Sequence, residues 1–216
     1  MELIFDNTEV KVYCFDLPAG GLNDQEMEIL LGRLPQFLQK RIIAYKDKLD
    51  RQLRIVGKLM LQQLIKDFDL DKQLNLSQIK YSEYNRPFFN TGLFFSTSHS
   101  GNKVICAASK TNNIGVDIEL TAPRDLNEFI NLLSDKELNN IQKSKNPLIE
   151  FYKCWTKKEA LAKAMGEGVR SGFMGETSKR KEFYVEENEL SFAGKSYFFY
   201  ELPVSSSYVA MMVIQV

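Results

Sequence analysis

Three β-rich runs follow one another in this chain: LFFSTS (93–98), KVICAAS (103–109) and IGVDIEL (114–120). The links between them, HSGN (99–102) and KTNN (110–113), are short and turn-prone. A parallel connection needs a dozen or more residues, so links this short predict an antiparallel meander. That geometry places residues. The third strand runs opposite to the second, so its C-terminal end lies level with the start of the second. Asp117 and Glu119 are then expected at the same sheet end as the Ser98–Gly101 turn. They are two residues apart in a strand, so they point to one face. Like charges side by side repel, and beside the apolar Val116 and Ile118 the pair calls for a cation.

The segment NPLIEFYKCWTKKEALAKAMGEG is the clearest helix in the chain. Asn146 is a good N-cap, Pro147 suits the first turn and Gly166 a left-handed stop. Leu148, Phe151, Tyr152 and Trp155 form a stripe at spacings of three and four. The stripe continues into Glu159 and Lys163, and a charge on an inward face costs several kcal/mol unless paired or bound to an ion. Thr156 and Glu159 have capping-box spacing, but with Asn146 as the cap Thr156 is mid-helix. An ordinary i, i+4 surface pair of Glu159 with Lys163 is the competing reading.

Elsewhere VKVYCFDL (10–17) alternates as a strand, and Pro35 to about Phe68 reads as two helices broken near Asp47. Leu53, Val56, Leu61 and Leu64 line the apolar face of the second helix. YNRPFFNTG (84–92) reads as a loop. APRDLNEFINLLSDKELNNIQ reads as one helix, then a second opened by a Ser134-x-x-Glu137 capping box. After Gly172 the runs EFYVEE, ELSFAG, KSYFFYEL and YVAMMVIQV read as strands. Strand–helices–strands, then helices–strands again, predicts an α+β fold of two similar halves, residues 1–110 and 111–216.

Lysine plus arginine and aspartate plus glutamate both total 28, so the net charge is zero. That argues against nucleic-acid and membrane-surface partners, and any anion site must be local. Cys14, Cys106 and Cys154 have no metal-ligand spacing and read as buried free thiols. No apolar run approaches membrane-spanning length and the N-terminus lacks a signal-peptide pattern, so a cytoplasmic location is expected. His99 is the only histidine in the chain, which excludes a histidine-based zinc site. SHSG is not a nucleophile elbow, and Gly-rich nucleotide loops are absent. Asp117, Glu119 and Glu159 together could form a hard oxygen site of the kind Mg²⁺ shares with phosphates. Ser98, Ser100 and turn amides could hold phosphate oxygens.

STSHSG, GVDIE and FYKCWTKKEALAKAMGEG, in this order and spacing, resemble the signature of the 4′-phosphopantetheinyl transferases. The chain length and the YNRP loop resemble the surfactin-synthetase-activating (Sfp-like) type. The resemblance covers residues 84–168. It implies a pseudo-dimer of two α/β halves with the active site in the cleft between them, and a monomer. It implies transfer of phosphopantetheine from coenzyme A, the co-substrate, to a serine of an apo acyl or peptidyl carrier protein. By position, Asp117, Glu119 and Glu159 look like ligands of Mg²⁺, or of Mn²⁺ in its place. Glu159, or a metal-bound water, looks like the base. Ser98 and His99 look like phosphate contacts, and Lys158 and Lys163 like the cations facing the diphosphate. Arg86 stands where the family has a basic residue near the adenine and 3′-phosphate. Arg51 or Arg54 is expected at the 3′-phosphate, although their register before Gly57 departs from the family pattern. Lys40 and Arg41 are further candidates, better read as a solvated helix face. The rival reading is a non-catalytic coenzyme A- or carrier-binding module on the same fold.

Overall fold

The computed structural model describes residues 1–83, 85–90, 92–126, 129, 132–166 and 188–216. It shows ten strands and five α-helices among the described residues: β1 (Glu2–Asp6), β2 (Val10–Asp16), α1 (Asp24–Gly32), α2 (Gln36–Ile43), α3 (Lys48–Asp67), β3 (Lys80–Tyr81), β4 (Pro87–Phe88), β5 (Phe94–Ser100), β6 (Lys103–Ser109), β7 (Ile114–Leu120), α4 (Asp135–Lys143), α5 (Pro147–Met165), β8 (Glu189–Phe192), β9 (Lys195–Glu201) and β10 (Tyr208–Gln215). The expected strand EFYVEE lies outside the described residues. Of the helix expected after Ala122, residues 127, 128, 130 and 131 lie outside them too, and the described part is not α-helical: residues 122–125 have no regular structure, and Leu126, Phe129 and Leu132 are in 3₁₀ conformation.

Two four-stranded antiparallel sheets carry the fold, ordered β1-β2-β6-β5 and β7-β10-β9-β8. Each contains the same unit: a strand, a long helix, then a hairpin whose second strand inserts beside the first. In one sheet the unit is β2, α3, β5, β6; in the other it is β7, α5, β9, β10. The meander is therefore corrected. β6 already pairs with β2 on one side and β5 on the other, so both its backbone edges are used. β7 cannot bond to it and instead opens the second sheet by pairing with β10.

The sheets share a core. Val12 and Ile105 from the first meet Val116, Ile118, Ala210 and Met212 from the second, all buried. On the outer face of the first sheet, Val104, Cys106 and Ala108 pack on Leu53, Met60, Leu61 and Leu64 of α3. On the outer face of the second, Met211 and Val213 pack on Ala160, Leu161 and Ala164 of α5. Both faces of β10 are thus buried, which is why YVAMMVI is apolar without alternation. Full burial of each large aliphatic side chain contributes roughly 1.5–3 kcal/mol.

Local signals account for the helix ends. Asp47 caps α3 at Asp50 N, and Ser134 and Glu137 form the expected capping box of α4. Asn146, Pro147 and the left-handed Gly166 bound α5 as expected. Helix α1 carries its own Asn23–Glu26 capping box, a signal that sequence reasoning passed over along with β1. All three cysteines are free thiols; Cys14 and Cys106 are buried as expected, whereas Cys154 is only half-buried.

Candidate active site

β5 and β7 lie side by side and run in the same direction, joined through serine hydroxyls. Ser96, Ser98 and Ser100 alternate along β5 onto one face, as strand geometry requires. Ser96 Oγ accepts from Val116 N at 3.1 Å and Ser100 Oγ from Leu120 N at 3.1 Å. Ser98 Oγ donates to Asp117 Oδ1 at 2.7 Å, and Ser100 Oγ to Glu119 Oε2 at 2.9 Å. Asp117 and Glu119 therefore do lie level with Ser98–Ser100, but through a seam between two sheets rather than through a meander. His99 is also a strand residue, paired with Val104, so residues 98–100 belong to the edge strand β5 and not to a turn. The turn is Gly101–Asn102, held by Tyr208, whose hydroxyl donates to Asn102 Oδ1 at 2.7 Å.

Helix α5 reaches the seam because small residues let it approach. A Cβ at Gly115 of β7 would collide with the Ala160 carbonyl and the Ala164 amide. That proximity sets Glu159 and Lys163 beside Asp117. Lys163 Nζ donates to Asp117 Oδ1 at 2.7 Å, to Ser98 Oγ at 2.9 Å and to the Val116 carbonyl at 3.0 Å. Asp117 is buried, and its Oδ2 has no partner. Glu159 is also buried and has no hydrogen-bond partner among the described residues. Burial first, then the charge of Asp117, push its carboxyl up to about 7, with Lys163 pulling the other way and Glu119 adding to the rise. Burial and Asp117 also raise Glu119, opposed by hydrogen bonds from Ser100 and Trp155.

The three carboxylates are thus electrically coupled across β7 and α5. Among the described residues, however, no three His, Cys, Asp or Glu side chains are grouped to hold a metal ion. Lys163 and Ser98 engage Asp117 Oδ1, and Ser100 engages Glu119 Oε2. The donor chemistry still suits a hard divalent cation. All three groups are carboxylates, and one buried oxygen, Asp117 Oδ2, is unpartnered.

A cleft of about 630 Å³ opens from this seam along α2, α3 and β3, with Lys163 in its wall. Arg41, Arg54, Lys58 and His99 also line it. Arg54 Nε donates to both oxygens of Asp50 at 3.0 Å, and its guanidinium stacks 3.7 Å from the Tyr45 ring. His99 Nε2 lies 3.2 Å from the same Asp50. Burial holds the imidazole below its usual range; Arg54 adds to this and Asp50 opposes it. Arg86 is half-buried against the C-terminus of α5, where a Cβ at Gly166 would strike its guanidinium; burial lowers its proton affinity.

Two expected contacts are elsewhere. Lys158 is buried in an ion pair with Glu137 of α4, 3.1 Å away, because it faces α4 rather than the seam. Arg51 is absent from the cleft lining, and its Nε is buried without a partner. Conversely Arg41, read as solvated, lines the cleft, and Lys58 was not singled out at all. The basic residue following Gly57 in RIVGKLM was the available signal.

The comparisons with known proteins bear on the same segments. Residues 113–205 match the 4′-phosphopantetheinyl transferase superfamily. This stretch holds Asp117, Glu119, Glu159 and Lys163, and the superfamily resemblance read from the motifs stands. The "4'-phosphopantetheinyl transferase gsp" of Aneurinibacillus migulanus is 28% identical over 134 residues, covering 61% of this chain and 55% of that protein. The "4'-phosphopantetheinyl transferase AcpT" of Salmonella typhi is 32% identical over 97 residues, 42% of this chain and 50% of that one. The "L-aminoadipate-semialdehyde dehydrogenase-phosphopantetheinyl transferase" of Xenopus laevis is 27% identical over 164 residues, 68% of this chain and 52% of that one. The chain spans about half the length of the curated relatives it matches.

Proposed function

We propose that this protein transfers the 4′-phosphopantetheine arm of coenzyme A to a serine hydroxyl of an apo acyl or peptidyl carrier protein, acting as a cytoplasmic monomer. The two repeated strand–helix–hairpin units make a pseudo-dimer dividing near residue 110, with the active site in the cleft between them. One observation carries the reading. At the seam of the two sheets, Asp117, Ser98 and Lys163 form one hydrogen-bonded cluster beside the buried Glu159, and this cluster closes one end of a cation-lined cleft.

In the reaction the serine oxygen attacks the β-phosphorus of coenzyme A. A new P–O bond forms, the bond to the bridging diphosphate oxygen breaks, and adenosine 3′,5′-bisphosphate leaves with the electron pair. The serine proton passes to Glu159, which stands at the seam without a hydrogen-bond partner to displace. Lys163, held by Asp117 and Ser98, faces the charge developing on the phosphoryl oxygens. Asp117, Glu119 and Glu159 would hold a Mg²⁺ or Mn²⁺ ion, which supplies charge neutralisation at the diphosphate. Ser98, His99 and Arg86 complete the phosphate and adenine contacts.

The test incubates the protein with coenzyme A, Mg²⁺ and a panel of apo carriers, then weighs each carrier by mass spectrometry. Addition of one phosphopantetheine to at least one carrier supports the reading. Coenzyme A binding with no mass gain on any carrier overturns it in favour of a binding module.

A further inference from the structure

The seam that carries the site is not a backbone ladder. β5 and β7 belong to different sheets, each as an edge strand, and the hydroxyls of Ser96, Ser98 and Ser100 join them. Ser100 is the last residue of β5. Strand ends fray first when neighbouring backbone does not hold them. Yet Ser100 makes two exact connections there, donating to Glu119 Oε2 at 2.9 Å and accepting from Leu120 N at 3.1 Å. What steadies this end comes from the other half. Tyr208 opens β10, where it pairs with Leu120 of β7. Its hydroxyl crosses to the turn after Ser100, donating to Asn102 Oδ1 at 2.7 Å and accepting from Asn102 N at 3.3 Å. Asn102 is fixed in turn: its Nδ2 donates to the Leu17 carbonyl at 3.1 Å, and its own carbonyl accepts from Leu17 N at 2.8 Å. The approach is close. A Cβ at Gly101, where φ is +56°, would lie 2.5 Å from the Tyr208 hydroxyl and 3.2 Å from Leu120 Cδ2. Tyr208 is itself buried and does not line the cleft.

We propose that Tyr208, acting through Asn102, is a positioning residue: it clasps the β5–β6 turn to the second half and thereby holds Ser100 on Glu119. The inference rests on the reading of Glu119 as a metal ligand. A carboxylate ligand owes its orientation to the groups that hydrogen-bond it, and those groups count in metal affinity nearly as much as the ligand. Ser100 is such a group, and it can hold Glu119 only as firmly as the end of β5 is itself held. The tyrosine ring alone would pack equally well as phenylalanine. The hydroxyl is what engages Asn102 as both donor and acceptor, so that the turn and the start of β10 move as one body. Leu120 closes the loop, bonded to Ser100 through its amide and paired in the ladder with Tyr208.

Titration of the whole protein with Mn²⁺ tests this. Binding is read from the EPR signal of unbound Mn²⁺ and from the emission of Trp155, the only tryptophan in the chain and a hydrogen-bond donor to Glu119. Ser100→Ala, which removes the hydrogen bond directly, is expected to weaken Mn²⁺ binding about tenfold, the low end for groups that orient a metal ligand. Tyr208→Phe acts at one remove and should weaken it about fivefold, while coenzyme A affinity in EDTA stays as in the wild type. In the Ser100→Ala background Tyr208→Phe should change Mn²⁺ affinity by less than about twofold, because the path is already cut. Asn102 is exposed, so Asn102→Ala decides the matter if Tyr208→Phe does not fold. Wild-type Mn²⁺ affinity in the folded variant, the same loss with and without Ser100, or an equal loss of coenzyme A affinity overturns the clasp and leaves the metal reading standing. A wild type that binds no Mn²⁺ overturns both.

Discussion

Glu159→Gln should stabilise the metal-free protein, and only above mildly acidic pH. Glu159 is 9% exposed, lies beside Asp117, and is pushed up to about 7. In the unfolded chain a glutamate titrates near 4.3. The folded state therefore binds the extra proton between those two values. Stability falls as pH rises through this window and stays reduced above it. The full displacement corresponds to about 3–4 kcal/mol at 1.36 kcal/mol per pH interval. Water entry and side-chain movement screen part of this, so about 2 kcal/mol is expected. The glutamine variant never takes the charge and escapes the penalty. For a chain of this size the gain amounts to roughly 4–8 °C in Tm at pH 8 in EDTA, shrinking to nothing near pH 4.5. Thermal melts of both proteins across that range are the assay. Equal Tm values at pH 8, or a gain that persists at pH 4.5, would refute the argument that Asp117 and burial strain this carboxylate.

Lys158→Met should cost about 3–5 kcal/mol in urea denaturation by leaving Glu137 buried and unpaired. Adding Glu137→Gln should recover most of it, and a folded double variant with tenfold weaker coenzyme A binding would restore Lys158 to the phosphate site. Gly115→Ala should destabilise by about 3 kcal/mol, since its methyl meets α5 backbone rather than a movable side chain; a loss under 1 kcal/mol would show that the α5–β7 approach is loose. Asp117→Asn should keep the packing but abolish carrier modification, and mass spectrometry showing wild-type conversion would place the site elsewhere. The His99 imidazole should titrate below 6.5 by NMR, because burial and Arg54 disfavour its charged form, and Arg54→Gln should raise the midpoint.

Much of this molecule is written locally. The ends of α3, α4 and α5 follow from Asp47, Ser134 with Glu137, and Asn146 with Pro147 and Gly166, each acting within a few residues of itself. The stripe from Phe151 to Lys163 and the same-face pairing of Asp117 with Glu119 follow from helix and strand periodicity, so the acidic and basic partners could be named in advance. Helix α1 and strand β1 were missed although the Asn23–Glu26 box was present.

What periodicity cannot express is which strand edges are already taken. β7 was expected beside β6 because their connection is short, but β6 is saturated by β2 and β5, and β7 went to β10. Likewise the direction of a lysine depends on its helix's neighbours: Lys158 turns to Glu137 and Lys163 to Asp117, five residues apart on one helix. The sequence alone determined α3, α4 and α5, their caps and the residue types available for phosphate chemistry, since these depend on near neighbours. Only the tertiary structure decided sheet membership and charge pairing, because backbone edges and carboxylates are each used once, by partners distant in the chain.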